Sequence, residues 1–331
     1  MKAKILVITG FLVGAFLLFF ALRSIDFKNL LEIYFKVKPF FIIPFVITTA
    51  LELLFRAARW RLLLKPSGEA RLWDAYRLQV AGLALSNILP LRMGEIARAT
   101  LASKLFRIPL LTVFSTILVE RSLDVLVLFV LFVLAAYFGG ITGGLMRYDA
   151  VLWTLFIGFS CAIAALIFSD ELISHHWFAG FFARFPRLRR LFERVAMGVK
   201  GFHSFRSGAL IMIFAALQWT MDVLNCYWIG RAFGLEGVLN MFKCAALVFT
   251  GAAAASLPGM PGYFGNYEFT MTKVLVSWGV PKPVGFAYAS YAHVLGYLLI
   301  TLMGVIFIYQ MGNSLSRVWG EFSPVKENPK P

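Results

Sequence analysis

Long apolar runs separated by short polar links set the frame of this chain. Predominantly hydrophobic stretches cover about 4–22, 39–55, 110–138, 150–168, 208–230 and 285–310. Each has the length that a helix needs to cross a hydrocarbon core, about 17–25 residues. Two further apolar stretches are broken. Residues 73–89 stop at Pro90 and resume as a short charged segment over 93–106. Residues 241–278 approach through an Ala-rich run and break in Leu257-Pro258-Gly259-Met260-Pro261-Gly262. Proline removes a helix donor, and glycine is a poor helix former. Each break therefore predicts a helical hairpin that enters the membrane and returns, which is tolerated only where irregular backbone is buried in protein or lines a cavity. The pattern predicts an all-α polytopic membrane protein with about six full transmembrane helices plus two re-entrant helical hairpins.

Composition strengthens this reading. Of 331 residues, 60% are hydrophobic and 15% charged, with mean hydropathy +0.78. A soluble domain is nearer half apolar and about a quarter charged. A net charge of +15 would point to nucleic acid in a soluble protein. Here no basic folded domain exists to carry such binding, and Lys and Arg gather on the links, as cytoplasmic loops require. Residues 1–312 read as one transmembrane domain, and 313–331 as a polar C-terminal tail. Within the domain, 169–207 carries Arg184, Arg187, Arg189, Arg190, Arg194, Lys200 and Arg206 among Phe and Leu. That suits a basic amphipathic cytoplasmic segment on an anionic leaflet, able to dock a cytosolic partner. The first apolar run resembles a signal peptide but lacks a small-x-small cleavage site before Arg23, so it reads as an uncleaved helix.

With both termini cytoplasmic, the inside segments (2–4, 56–71, 169–207 and the tail) hold seventeen Lys and Arg, against seven on the outside links. This satisfies the positive-inside rule and predicts a multi-pass protein of the cell inner (plasma) membrane. The two hairpins then enter from opposite sides, as inverted repeats do. One echo supports the repeat: Leu89-Pro90-x-x-x-Gly94 and Leu257-Pro258-x-x-x-Gly262.

Charges inside such a chain mark candidate chemistry. The stretch Asn87–Arg98, NILPLRMGEIAR, sets Arg92, Glu95 and Arg98 around the Pro90/Gly94 break. Guanidinium forks match phosphate oxygens; the plain alternative is arginines reaching back to the interface, or Glu95 and Arg98 pairing on one helix face. Glu120, Arg121 and Asp124 share a face of the next helix. Two readings stay open for them: the wall of a polar cavity, or an ion-pair network that fastens this helix to the hairpin. In the second break, Pro258, Pro261, Gly262 and Gly265 free backbone groups beside Glu268. Asp222 and Lys273 are lone charges that could pair with each other, whereas His293 and Tyr291 suit packing. Cys161, Cys226 and Cys244 have unrelated spacings, and the four histidines show no ligand pattern, so no disulfide framework, metal or cofactor is expected. No phosphate-loop signature occurs, which leaves ion coupling or a partner to drive any transport.

These motifs together resemble the lysylphosphatidylglycerol synthase transmembrane-region family, the flippase-like membrane part of multiple peptide resistance factors, which also occurs as stand-alone membrane proteins. The resemblance rests on N-x-x-P-x-R-x-G-E-x-x-R (Asn87, Pro90, Arg92, Gly94, Glu95, Arg98), E-R-x-x-D (Glu120, Arg121, Asp124) and L-P-x-x-P-G-x-x-G-x-x-E (Leu257 to Glu268). It implies lipid handling. The soluble aminoacyl-transfer domain of those synthases has no counterpart here, so the chain is not expected to be an enzyme. The expected activity is lipid translocation between leaflets. An anionic phospholipid, an aminoacylated phosphatidylglycerol or a polyprenyl-phosphate lipid would be held between the hairpins by Asn87, Arg92, Glu95, Arg98, Glu120, Arg121, Asp124 and Glu268. The alternatives are an ion-coupled transporter of a small soluble solute and a lipid-presenting subunit for a partner enzyme. An oligomer is compatible with either.

Overall fold

The computed structural model describes residues 2–23, 25–89, 93–139, 204–257 and 259–312, with isolated positions at 154, 157, 158, 161, 184 and 185. The predicted helix over 150–168, most of the basic segment 169–207 and the tail 313–331 lie outside the described residues. Ten α-helices order the rest: α1 Lys2–Leu22, α2 Phe27–Phe35, α3 Ile42–Leu64, α4 Leu72–Ile88, α5 Gly94–Phe106, α6 Leu110–Phe138, α7 Phe205–Ala232, α8 Met241–Ser256, α9 Asn266–Ser277 and α10 Lys282–Gln310. Three combine the length and apolar character to cross a membrane: α3 with its 3₁₀ lead-in Pro39–Phe41, α7 and α10. The pair α1–α2, bent by 83°, makes up to a fourth.

Two departures from the sequence reading have clear causes. The link 23–38 contains α2, because Asp26 accepts a hydrogen bond from the Lys28 N–H at 3.0 Å and caps a new helix. Its apolar face, Leu30, Ile33 and Tyr34, packs on Phe286 and Ala287. Tyr34 and Ser290 share a hydrogen bond of 2.6 Å. Helix α3 does not end at residue 55. It runs nine residues further because Arg56 and Arg59 turn inward to carboxylates, so the basic step is part of the interior.

Two apolar cores are the largest among the described residues. Leu53, Trp60, Leu78 and Ile117 centre the one shared by α3, α4, α5 and α6. Leu247, Met271, Leu275 and Tyr288 centre the one between α7, α8, α9 and α10. Outward faces carry Phe11, Phe16, Ile43, Ile47, Leu298, Leu302 and Ile306, as lipid-facing helices do. Among lipid tails apolar contact gives little drive to associate, so close approach through small residues matters more. At Gly94 a Cβ would overlap the Gly82 carbonyl oxygen and Ser86, so only glycine lets α5 start flush against α4.

The broken segments start from opposite ends of α10. Trp73, at the start of α4, meets Phe307 near the end of α10 at 5.6 Å between ring centroids. Helix α8 starts after the end of α7, where Phe233 packs edge-on to Tyr288 near the start of α10. Helix α4 also packs against the 3₁₀ turn Pro261–Tyr263 of the second break.

Candidate functional site

Three helices bring six charges together behind the first break. From α3, Arg59 is wholly buried and donates to Asp124 Oδ1 at 2.7 Å, with Glu120 3.5 Å away. From α5, Arg98 donates to Glu120 Oε2 at 3.1 Å and to Gln79 of α4, and stacks over Trp60 at 4.5 Å. Gly82 gives this side chain its path, since a Cβ there would meet Arg98 Cβ at 2.9 Å. From α6, Arg121 reaches Glu120 at 3.1 Å, Asp124 at 3.2 Å and Glu95 at 3.3 Å. Trp219 Nε1 donates to Asp124 at 3.2 Å. Three guanidinium groups face three carboxylates, so the cluster is neutral, which is how buried charge becomes tolerable. Only the Glu95–Arg121 pair is about one-third exposed.

Arg121 does reach Asp124 at the three-residue spacing. Glu95 and Arg98 take separate partners on α6 instead of each other. The cluster joins α3, α5 and α6 as an ion-pair network. Pro90 and Arg92 lie outside the described residues, as does Pro258.

A cavity of about 330 Å³ opens between α3, α4, α7, α8 and α10 and the second break. Its polar wall consists of Glu52 and Arg56 of α3, Asn87 of α4, Asp222 and Asn225 of α7, and His293 of α10. Tyr263, Tyr267 and Tyr297 add hydroxyl-bearing rings. Glu52 and Arg56 pair at 2.8 Å. Asn87 donates to Thr301 at 3.0 Å, and Asn225 accepts from Thr48 at 2.5 Å. Of the residues expected from the sequence to hold a headgroup, Asn87 is in this wall, with Glu268 directly behind it. Glu268 accepts the Gly265 N–H at 2.7 Å, capping α9, and His293 Nδ1 lies 2.6 Å from its other oxygen. Rings of Phe264 and Tyr267 flank the imidazole at 4.6 and 4.7 Å. His293 is therefore a polar member of the cavity and not simple packing. Pro261 and Gly262 form the 3₁₀ turn and Gly265 precedes α9.

Sequence reasoning missed Glu52, Arg56, Arg59 and Gln79. A signal was present: Glu52 and Arg56 stand four apart, and Arg59 falls on the same helix face. The suggested pairing of Asp222 with Lys273 is incorrect. Asp222 lines this cavity, within electrostatic reach of Glu52 and Arg56, whereas Lys273 lies over Phe269 in a separate hollow. Among the described residues no three His, Cys, Asp or Glu side chains gather as they would around a metal.

Among the described residues the regular structure is helical, with three apolar spans, or four with the bent pair, and with the charges behind the first break paired, as an integral membrane protein requires. The chain belongs to the lysylphosphatidylglycerol synthase transmembrane-region family, whose model matches residues 7–304. Among similar proteins, a UPF0104 membrane protein of Methanothermobacter thermautotrophicus is 26% identical over 278 residues, covering 76% of this chain and 78% of its own. UPF0104 membrane protein MJ1595 of Methanocaldococcus jannaschii is 24% identical over 324 residues, covering 92% and 95%. No solved structure matches.

Proposed function

We propose that this protein translocates a phospholipid or polyprenyl-phosphate lipid between the leaflets of the cell membrane. Its headgroup would lodge in the 330 Å³ cavity while the acyl chains stay in the bilayer. One observation carries this reading: the charged cavity lies where the two broken segments meet, bounded by Asn87 at the end of α4 and Tyr263 in the second break. Broken helices that meet around a polar cavity are the usual architecture of a transport site in a membrane. The family's name adds a lipid context. In this reading the breaks are the tips of re-entrant hairpins within a six-span inverted repeat, and both termini are cytoplasmic. The chain performs no chemistry itself and hands lipid to or from a modifying partner.

Roles divide accordingly. Arg56 and His293 present donors to a phosphate, and Glu52 and Asp222 balance them or accept from an amine. Arg98, Glu120 and Asp124 hold the first hairpin in register behind the cavity, while Arg121 with Glu95 guards the cytoplasmic entrance.

Reconstitution into liposomes with headgroup-labelled lipids tests the reading. Arg56→Gln and Asp222→Asn are expected to lower translocation at least about tenfold, the size of losing one charge-assisted contact, while the protein still elutes as a folded species. Wild-type rates in both variants would remove the cavity from the mechanism. Lipid-independent uptake of a small solute, lost in the same variants, would replace lipid with solute as the cargo.

A further inference from the structure

A second hollow, of about 320 Å³, lies where the end of α1, the middle of α9 and the start of α10 meet. Arg23, Lys273 and Lys282 line it, and none of its described lining residues is acidic. Lys282 is held in place by the carbonyl oxygens of Phe20 and Arg23. Lys282 lies within electrostatic reach of both Lys273 and Arg23, and this like-charge repulsion would be relieved by an anion in the hollow. A separate observation points the same way. Thr272 lines the hollow at 3% exposure, and its hydroxyl has no partner among the described residues. Thr270, two residues earlier, bonds its Asn266 carbonyl at 2.7 Å, as a threonine on an apolar helix ordinarily does. An unsatisfied buried hydroxyl costs about 1–3 kcal/mol, which an acceptor in the hollow would return.

We propose that this hollow is a binding site for a phosphate group, distinct from the central cavity and independent of whether the protein moves lipids. Arg23, Lys273 and Lys282 compensate the charge, and Thr272 donates one hydrogen bond to a phosphate oxygen. Phe20 and Phe269 at the edge of the same hollow give an apolar surface for the chains of a phosphate-bearing lipid. Arg23 lies 5.9 Å from the Phe20 ring and Lys273 5.6 Å from the Phe269 ring. Occupancy would tie α1 to α9 and α10 at one end of the molecule.

Full-length protein in mild detergent would be titrated with short-chain phosphatidic acid, with the matching diacylglycerol and with inorganic phosphate. Unfolding temperature and calorimetric affinity would be read for each. Phosphatidic acid is expected to bind and stabilise, and diacylglycerol is not. The Arg23→Gln/Lys273→Gln/Lys282→Gln variant is expected to lose at least about tenfold in affinity, and Thr272→Val, which keeps shape and charge, a smaller part of it. Arg56→Gln in the central cavity is expected to leave this binding intact, which separates the two sites. Inorganic phosphate binding as tightly as phosphatidic acid would support the phosphate site and make its ligand soluble. Equal affinity in wild type, the triple variant and Thr272→Val, or no binding of either phosphate probe, would overturn the proposal.

Discussion

Arg59 shows what a single residue means in this interior. It is fully buried, and its main acceptor, Asp124, also holds Trp219. Asp124→Ala strands that guanidinium, and removal of one partner from a buried pair typically costs about 3–5 kcal/mol. Asp124→Asn keeps an acceptor for both neighbours and should lose less. The exposed pair Arg231–Glu236, at 3.7 Å, should be worth no more than about 1 kcal/mol. Denaturation in detergent of Asp124→Ala, Asp124→Asn and Glu236→Ala checks this order, and a wild-type midpoint for Asp124→Ala would mean that the network does not hold the helices. What the sequence made legible at this scale follows from distance along the chain. Arg121 and Asp124 are fixed by one helical turn, so their contact could be read directly. Arg59 and Asp124 stand 65 residues apart, and Glu268 and His293 sit on different helices. No periodicity reports such encounters.

At the scale of elements, the breaks are the parts most sensitive to added volume. Gly265 has φ +88°, and a Cβ there would overlap the Gly14 carbonyl oxygen. Gly279 has a similar φ, +86°, with open space around it. Gly279→Ala should therefore show only left-handed strain, about 1–2 kcal/mol, whereas Gly265→Ala adds overpacking of about 1–3 kcal/mol more. Thermal unfolding of the two variants separates strain from collision; equal losses would mean that α1 does not rest on the second break. The bounds of α6 were readable because Pro109 and Gly139 punctuate an apolar run, and those of α4, α5, α8 and α9 because Pro and Gly interrupt them. The length of α3 was not, since arginines that mark the edge of a span look the same in sequence as arginines that face buried carboxylates. The α2 cap was visible in Asp26 and passed over because charge in the link suggested a loop.

At the scale of the whole molecule, α1 is seated through Gly10 and Gly14, a small-xxx-small face that meets Gly259, Met260 and the Phe264–Gly265 backbone. The spacing stood in the sequence, but nothing in it named the partner. The seat has a consequence for how the protein is made. At about 5–20 residues per second, the ribosome needs some tens of seconds to supply the roughly 250 residues between the two surfaces. Helix α1 thus leaves the ribosome long before its seat and waits in the bilayer with a bare glycine face. Slowed translation or an early stop after α8 should leave such chains to membrane proteases. Pulse-chase of full-length and Gly14→Leu chains tests this. The variant, unable to close, is expected to be degraded several-fold faster after synthesis is complete, whereas equal lifetimes would show that α1 docks elsewhere. An early-made element is completed by a late-made one, and α1 serves as the closing clasp of the finished protein.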